Sequence, residues 1–338
     1  MSAFPCAGFG REPAEPKPAV AFAAAAVAVC AFAGPSSAAP GAPNADAAVT
    51  AAVTTAEAKA VADFWTPERM RRATPMDRIT VDPGQLRAVP RGTPAAVPAV
   101  TGTVGTSAVT PLAFPNGGSA WTGGGAVVTT TGRVFFTYQG RTASCSGSAV
   151  ASGNKSTIIT AGHCVKLSGA FHTNWAFVPA YNNGNAPFGT WTARLLRATP
   201  QWVASEDINF DVGAAVVNSL NGQLLTDVVG GQGVAFNQAR GQSMYAFGYP
   251  AAAPYDGTRL IYCSGTVFNA FLSNGIGMTC NMTGGASGGP WLLSFSEAAG
   301  TGNVNSVNSY KINFIPTWMF GPYFGTDAQN LYNAAQAS

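Results

Sequence analysis

The sequence predicts an all-β fold, a sandwich or barrel of short strands, over its last two thirds. Three observations carry this. About a dozen strand-like runs recur every 8–15 residues from residue 126 onward, and Gly, Asn and Pro turns separate most of them. Helical periodicity is almost absent from that region. The composition also changes: up to about residue 118 Ala, Pro, Val and Thr dominate, and from Trp121 onward aromatic residues, glycines and alternating apolar residues take over.

Taken in order, the expected strands are Ala126–Thr131, Arg133–Tyr138, Ala143–Ala151, Ser156–Thr160, Trp175–Pro179, Gly189–Leu196, Val212–Val217, Ser243–Tyr249, Thr258–Phe268, Ile276–Cys280, Pro290–Phe295 and Val304–Ile312. One helix is clear, Asp327–Gln336, with Thr326 as its expected cap. Upstream, Thr55–Trp65 has helical spacing, with Ala58, Val61, Phe64 and Trp65 on one side. Thr66 then caps a second short helix that has Pro67 at its first position. Two such helices cannot bury a core by themselves. They are expected to dock on the following domain or assist its folding, with plain disorder as the alternative.

Only 10% of the 338 residues are charged, against a usual fraction of about 25%. Residues 119–338 hold nine Lys+Arg and seven Asp+Glu, a net charge of +2. That is too weak and too scattered for a nucleic-acid partner or an anionic membrane surface. Arg11 and Lys17 precede the 15-residue apolar run Ala19–Ala33, and small residues follow it. This is the layout of a secretory signal peptide, short of the ~20 residues that span a bilayer. An uncleaved anchor is the alternative. The organisation read from these features is a signal peptide at 1–39, a propeptide and linker at 40–118, and the all-β domain at 119–338. The mature protein is expected to be extracellular, monomeric and without stable membrane association.

Thr283-Gly-Gly-Ala-Ser-Gly-Gly-Pro290 is too glycine-rich for a helix or a plain strand. A serine at the tip of such a turn, Ser287, can attack a carbonyl. The Gly285 and Ser287 amides can then hold the oxyanion that forms. A serine hydroxyl needs a base and an orienting acid, and the chain has two histidines, His163 and His172. His163 lies in Thr160-Ala-Gly-His-Cys164, directly after an apolar run. His172, in Ala170-Phe-His-Thr-Asn174, reads as a surface or partly buried polar residue.

These two segments resemble those of the trypsin-like (chymotrypsin-fold) serine peptidases of the secreted bacterial type, in which a TAGHC-type motif surrounds the base and GxSGGP the nucleophile. The resemblance covers roughly residues 120–338. It implies two six-stranded antiparallel β-barrels with the active site between them, a C-terminal helix, and a His–Asp–Ser order along the chain. His163 is then the base and Ser287 the nucleophile. Asp211, which opens the apolar run Asp211–Val217, is the orienting acid, with Asp207 as runner-up. The family links the positions of Cys145 and Cys164, which implies the pairs Cys145–Cys164 and Cys263–Cys280; a metal site is the competing reading of these cysteines. The substrate pocket falls by resemblance on Asn281 and Met282, with Ser309, Tyr310 and Lys311 on its wall. Ser309 is the expected substrate-backbone acceptor, and Lys311 is expected at the rim. The implied activity is hydrolysis of protein or peptide substrates with no cofactor and no metal; an inactive, binding homologue is the alternative. Ala286 departs from the family, whose zymogens carry Asp before the nucleophile to pair with a freed N-terminus. The corresponding ion pair cannot form here.

Overall fold

In the first half of the catalytic region, buried apolar strands close on themselves. The computed structural model describes residues 47–76, 88–105, 112–312 and 314–338; the expected signal peptide lies outside them. Trp191–Ala198, Thr173–Pro179, Thr131–Tyr138, Arg141–Ala149, Thr157–Thr160 and Gly213–Val217 are hydrogen-bonded in that order. Gly213–Val217 then pairs back with Trp191–Ala198, so a six-stranded antiparallel barrel is complete. The second half is built of two sheets. Gly233–Phe236, Thr301–Val307, Pro290–Ser296, Ser243–Gly248 and Ile261–Thr266 form the body of one, and Ile276–Thr279, Ile315–Gly321 and Tyr310–Ile312 belong to the other. Trp175, Trp191, Trp202 and Trp291 are fully buried among these strands. A separate apolar cluster, including Met244, Met278, Met282 and Trp291, surrounds Cys263 and Cys280.

The N-terminal segment is ordered and docked. Thr54 and Glu57 form a capping box at the start of helix Thr55–Phe64, and Thr66 caps Pro67–Arg72. Alternate side chains of a strand face opposite ways, so Thr131–Tyr138 cannot hide both Phe135 and Phe136 inside the barrel. Trp65 covers Phe135, with ring centroids 5.3 Å apart, and its indole N–H donates to Asn174 O at 2.6 Å. Truncating a buried indole of this kind costs about 3–5 kcal/mol. The same segment pairs strand Ala48–Thr50 with Leu195–Arg197, the part of Trp191–Ala198 beyond its pairing with Thr173–Pro179. Ala95–Val97 and Asn116–Ala120 join the two edges of the larger second sheet.

Several expected elements are corrected. Ala126–Thr130 is a short helix, because Gly125 turns the chain at φ 76° and the hydroxyls of Thr129 and Thr130 bond back to Ala126 O. The terminal helix begins at Thr326 itself, after Gly325 and without a side-chain cap; the Thr326 amide donates to Pro90 O instead. The expected strand Val304–Ile312 breaks at Asn308–Ser309, where both side chains serve the site below. The strands Gly233–Phe236 and Ile315–Gly321 and the helices Pro200–Ser205 and Leu225–Val229 have no counterpart in the sequence reading.

Candidate active site

Register brings the first two groups together. Gly213–Val217 pairs antiparallel with Thr157–Thr160, with Gly213 opposite Thr160. The end of one strand therefore leads into His163 beside Asp211, which lies two residues before the other and ends the short turn Ile208–Phe210. Between them Gly162 lies flat against Trp202, where a Cβ would come within 2.7 Å of the indole. Asp211 Oδ1 accepts the His163 backbone N–H at 2.8 Å, and Oδ2 accepts from Nδ1 at 2.8 Å. The Ser309 hydroxyl donates to Oδ2 at 2.5 Å. All of these side chains are buried. A carboxylate against Nδ1 holds the proton there and leaves Nε2 as the ring's acceptor. Nε2 is itself buried without a partner. Asp207, the runner-up, turns its Oδ1 to the amide and side chain of Asn209.

The backbone around His163 is held by rings. His172 Nε2 lies 2.9 Å from His163 O, Trp175 Nε1 donates to Cys164 O at 2.9 Å, and Trp202 Nε1 donates to Lys166 O at 2.8 Å. His172 is buried and stacked on Phe136 at 4.2 Å, which corrects its reading as a surface or partly buried group. Burial lowers its pKa to about 4, so the ring is neutral and its Nε2–H donates to the carbonyl.

The serine turn is fixed by close approach. Gly285 and Gly288 have φ of +91° and +79°, and a Cβ on Gly288 would lie 2.0 Å from Thr160 Oγ1 and 2.8 Å from the Ala161 amide nitrogen. That contact seats the turn on the strand leading to His163. Ser287 O accepts from the Ser146 amide at 2.7 Å, next to Cys145 and its bridge. Two residues that the sequence reading missed hold the loop. Ser146 Oγ donates to Gly285 O at 2.9 Å, and Asn308 Nδ2 donates to Ala286 O and Phe247 O at 3.0 and 2.8 Å. Asn308 Oδ1 accepts the Trp291 indole N–H at 2.8 Å. The buried Ala286 thus has its carbonyl tied down by an amide side chain, with no ion pair at that position. Ser287 Oγ makes no hydrogen bond to His163 Nε2 in this state. The Gly285 amide donates to Met76 O at 3.2 Å.

Both disulfides are present, Cys145–Cys164 and Cys263–Cys280. Among the described residues the group with metal-ligand proximity is Cys145, His163 and Cys164. Its two sulfurs are bonded to each other and offer no thiolate, so this donor set does not suit a metal. Of the expected pocket residues, Asn281 is exposed, with Oδ1 accepting from the Tyr255 hydroxyl at 2.5 Å. Met282 is buried in the second apolar cluster and Tyr310 is stacked on Phe320. Lys311 is not at the rim. It is 3% exposed, and its ammonium donates to Cys280 O at 2.7 Å and Pro316 O at 2.5 Å, because backbone carbonyls there replace its hydration.

No family model matches the chain. Among solved structures it is similar to the protease Anisep from Arthrobacter nicotinovorans, with 48% identity over 65% of this chain and 100% of that one at a TM-score of 0.61. The thermostable serine protease AL20 from an extremophilic microorganism is 42% identical, over 63% of this chain and 99% of its own at a TM-score of 0.60. The chain belongs to the trypsin-like serine peptidases. This peptidase shares its fold with a Glu endopeptidase at 17% identity, covering 67% of this chain and 99% of that one with a TM-score of 0.52. An extracellular metalloprotease of Bacillus subtilis (strain 168) is 31% identical over 70 residues, 20% of this peptidase and 22% of that protein. As a serine endopeptidase this protein is a hydrolase.

Proposed function

We propose that the chain is the precursor of a secreted endopeptidase that cleaves proteins or peptides through Ser287, His163 and Asp211. The observation that carries the assignment is the buried His163–Asp211 pair, joined by two hydrogen bonds of 2.8 Å, beside a serine turn seated on the same strand. The Ser287 hydroxyl attacks the scissile carbonyl and gives its proton to His163 Nε2. Asp211 holds the Nδ1–H and stabilises the imidazolium. The Gly285 and Ser287 amides take the oxyanion, and the loop that carries them is held by Ser146 and Asn308 before any substrate binds. Collapse of the tetrahedral species returns the proton from Nε2 to the leaving amine and leaves an acyl-enzyme. Water, with its proton taken by His163, then releases the acid. No metal or other cofactor takes part.

The precursor is organised as a signal peptide at 1–39, a propeptide at 40–118 and a monomeric catalytic domain at 119–338, free of the membrane once the signal peptide is removed. The pocket that receives the residue before the scissile bond is formed beside the exposed Asn281, with Ser309 on its wall. In that wall Ser309 also steadies Asp211.

The carboxylates provide the test. Asp211→Asn in the processed enzyme is expected to lower kcat by about 10⁴, the cost of the wrong tautomer, while Asp207→Asn leaves it within about tenfold. The opposite ranking overturns the assignment.

A further inference from the structure

The N-terminal segment reaches into the site with its backbone. Thr74–Pro75 runs parallel to strand Arg141–Ala149, with Thr74 opposite Ala143 and Pro75 opposite Ser144. The Met76 amide donates to Ser144 O at 2.8 Å, and the Met76 carbonyl then accepts the Gly285 N–H at 3.2 Å. That N–H is one of the two donors assigned above to the oxyanion. Met76 O does not take the second donor, the Ser287 amide. A carbonyl under attack needs both, so Met76 fills half of the oxyanion site without standing where Ser287 could add to it. In the same state Ser287 is only 6% exposed and His163 0%. A substrate carbonyl cannot reach Gly285 N while Met76 is there.

The contact is strongly anchored upstream. Met70 and Ala73 are buried on the catalytic domain, and Trp65 is fixed on Phe135 and Asn174. The Arg71 guanidinium donates to Asn183 O at 3.3 Å, and Asn218 Nδ2 to Ala52 O at 2.8 Å. Strand Ala48–Thr50 adds main-chain pairing to strand Trp191–Ala198. The anchor is thus a helix pair with one buried indole and a strand, and the inhibitory group is the carbonyl at its far end. None of these bonds depends on the peptide link between the segment and the domain.

We propose that residues 47–76 are an inhibitor of the peptidase site, acting by occupation of the Gly285 oxyanion donor, and that they bind the processed enzyme as a separate chain. The proposal rests on the assignment of Ser287 and Gly285 made above. A segment that only assists folding would have no effect once the enzyme is folded.

The test adds a synthetic peptide of residues 47–76 to enzyme processed from the full chain and follows hydrolysis of a peptide substrate. Competitive inhibition is expected, and a Trp65→Ala peptide should need at least about tenfold more for the same effect, as for a buried aromatic anchor. A Met76→Pro peptide, which lacks the N–H given to Ser144 O, should also be weaker. A second readout is the rate at which a fluorophosphonate probe labels the uncut chain, which should be at least about tenfold slower than for processed enzyme and should rise with Trp65→Ala. Processed enzyme that is active, is labelled at Ser287, and is indifferent to the peptide overturns this proposal alone. Failure of any form to label at Ser287 overturns the assignment on which it rests and this proposal with it.

Discussion

Asn308 is where the oxyanion loop can be loosened without touching a reacting atom. Its side chain makes three hydrogen bonds, to Phe247 O, Ala286 O and the Trp291 indole, and every group involved is buried. Asn308→Ala removes this partner from Phe247 O and the Trp291 N–H, out of reach of water, and leaves the Ala286 carbonyl with the Gly289 amide at 3.0 Å. A buried unsatisfied group costs about 1–3 kcal/mol, so for these two groups a loss of about 2–4 kcal/mol is expected once water enters part of the space. With only the Gly289 amide left on the Ala286 carbonyl, the Ala286–Ser287 peptide is also less firmly held. Losing one oxyanion donor costs about 10²–10³ in kcat, and a part of that, roughly tenfold to a hundredfold, is expected here. Asn308→Asp separates volume from hydrogen bonding. It keeps the acceptor for Trp291 but sets a carboxylate oxygen against two carbonyls, so it should be at least as harmful as alanine. The assay is urea denaturation of the processed enzyme, with kcat measured per titrated active site. An Asn308→Asp enzyme within about 1 kcal/mol of wild type and with unchanged kcat would refute the reasoning.

Three further outcomes follow from the same geometry. His172 is neutral in the native state with a pKa lowered to about 4, against an ordinary 6.5, so the unfolded chain binds a proton that the folded chain does not. Stability is therefore complete above about pH 6.5 and declines as pH falls toward about 4, by roughly 3 kcal/mol in all; His172→Phe should flatten that limb in denaturation measured across the window. Gly288→Ala places a Cβ 2.0 Å from Thr160 Oγ1 at a φ of +79°, and should abolish labelling of Ser287 or yield no folded enzyme, judged by probe reactivity and circular dichroism. Because the carbonyls of Gly285 and Ala286 are held by Ser146 and Asn308 rather than by an ion pair at position 286, forms trimmed at several residues between 100 and 115, short of the paired strand Asn116–Ala120, should have equal kcat. A requirement for one N-terminus would contradict this.

The two motifs were legible because their chemistry is local. A serine between glycines and a histidine after an apolar strand carry their own geometry, and the cysteines beside them pair as the resemblance implied. Asp211 was picked out by the apolar run after it, although the strand there begins only at Gly213 and the closeness of Asp211 to His163 depends on the register of that strand with Thr157–Thr160. The docked helices Thr55–Phe64 and Pro67–Arg72 were visible in spacing and caps, but their seat on Phe135 was not. What the sequence hid is tertiary. Ala126–Thr130 is β-branched and reads as a strand, yet Gly125 and threonine back-bonds wind it into a helix. His172 read as a surface or partly buried polar residue and Lys311 as a residue of the pocket rim, and only the fold supplies the carbonyls that let them be buried. Ser146 and Asn308 sit in ordinary strand sequence with nothing to mark them. The contact of Met76 with Gly285 joins residues more than two hundred positions apart, beyond the reach of any local pattern.

The account stands on Ser287 as the nucleophile. Processed enzyme treated with a fluorophosphonate probe and analysed by intact mass and peptide mapping should carry one adduct, on Ser287, and a folded Ser287→Ala variant should carry none. Equal labelling of that variant, or an adduct on another residue of the wild-type enzyme, would contradict it.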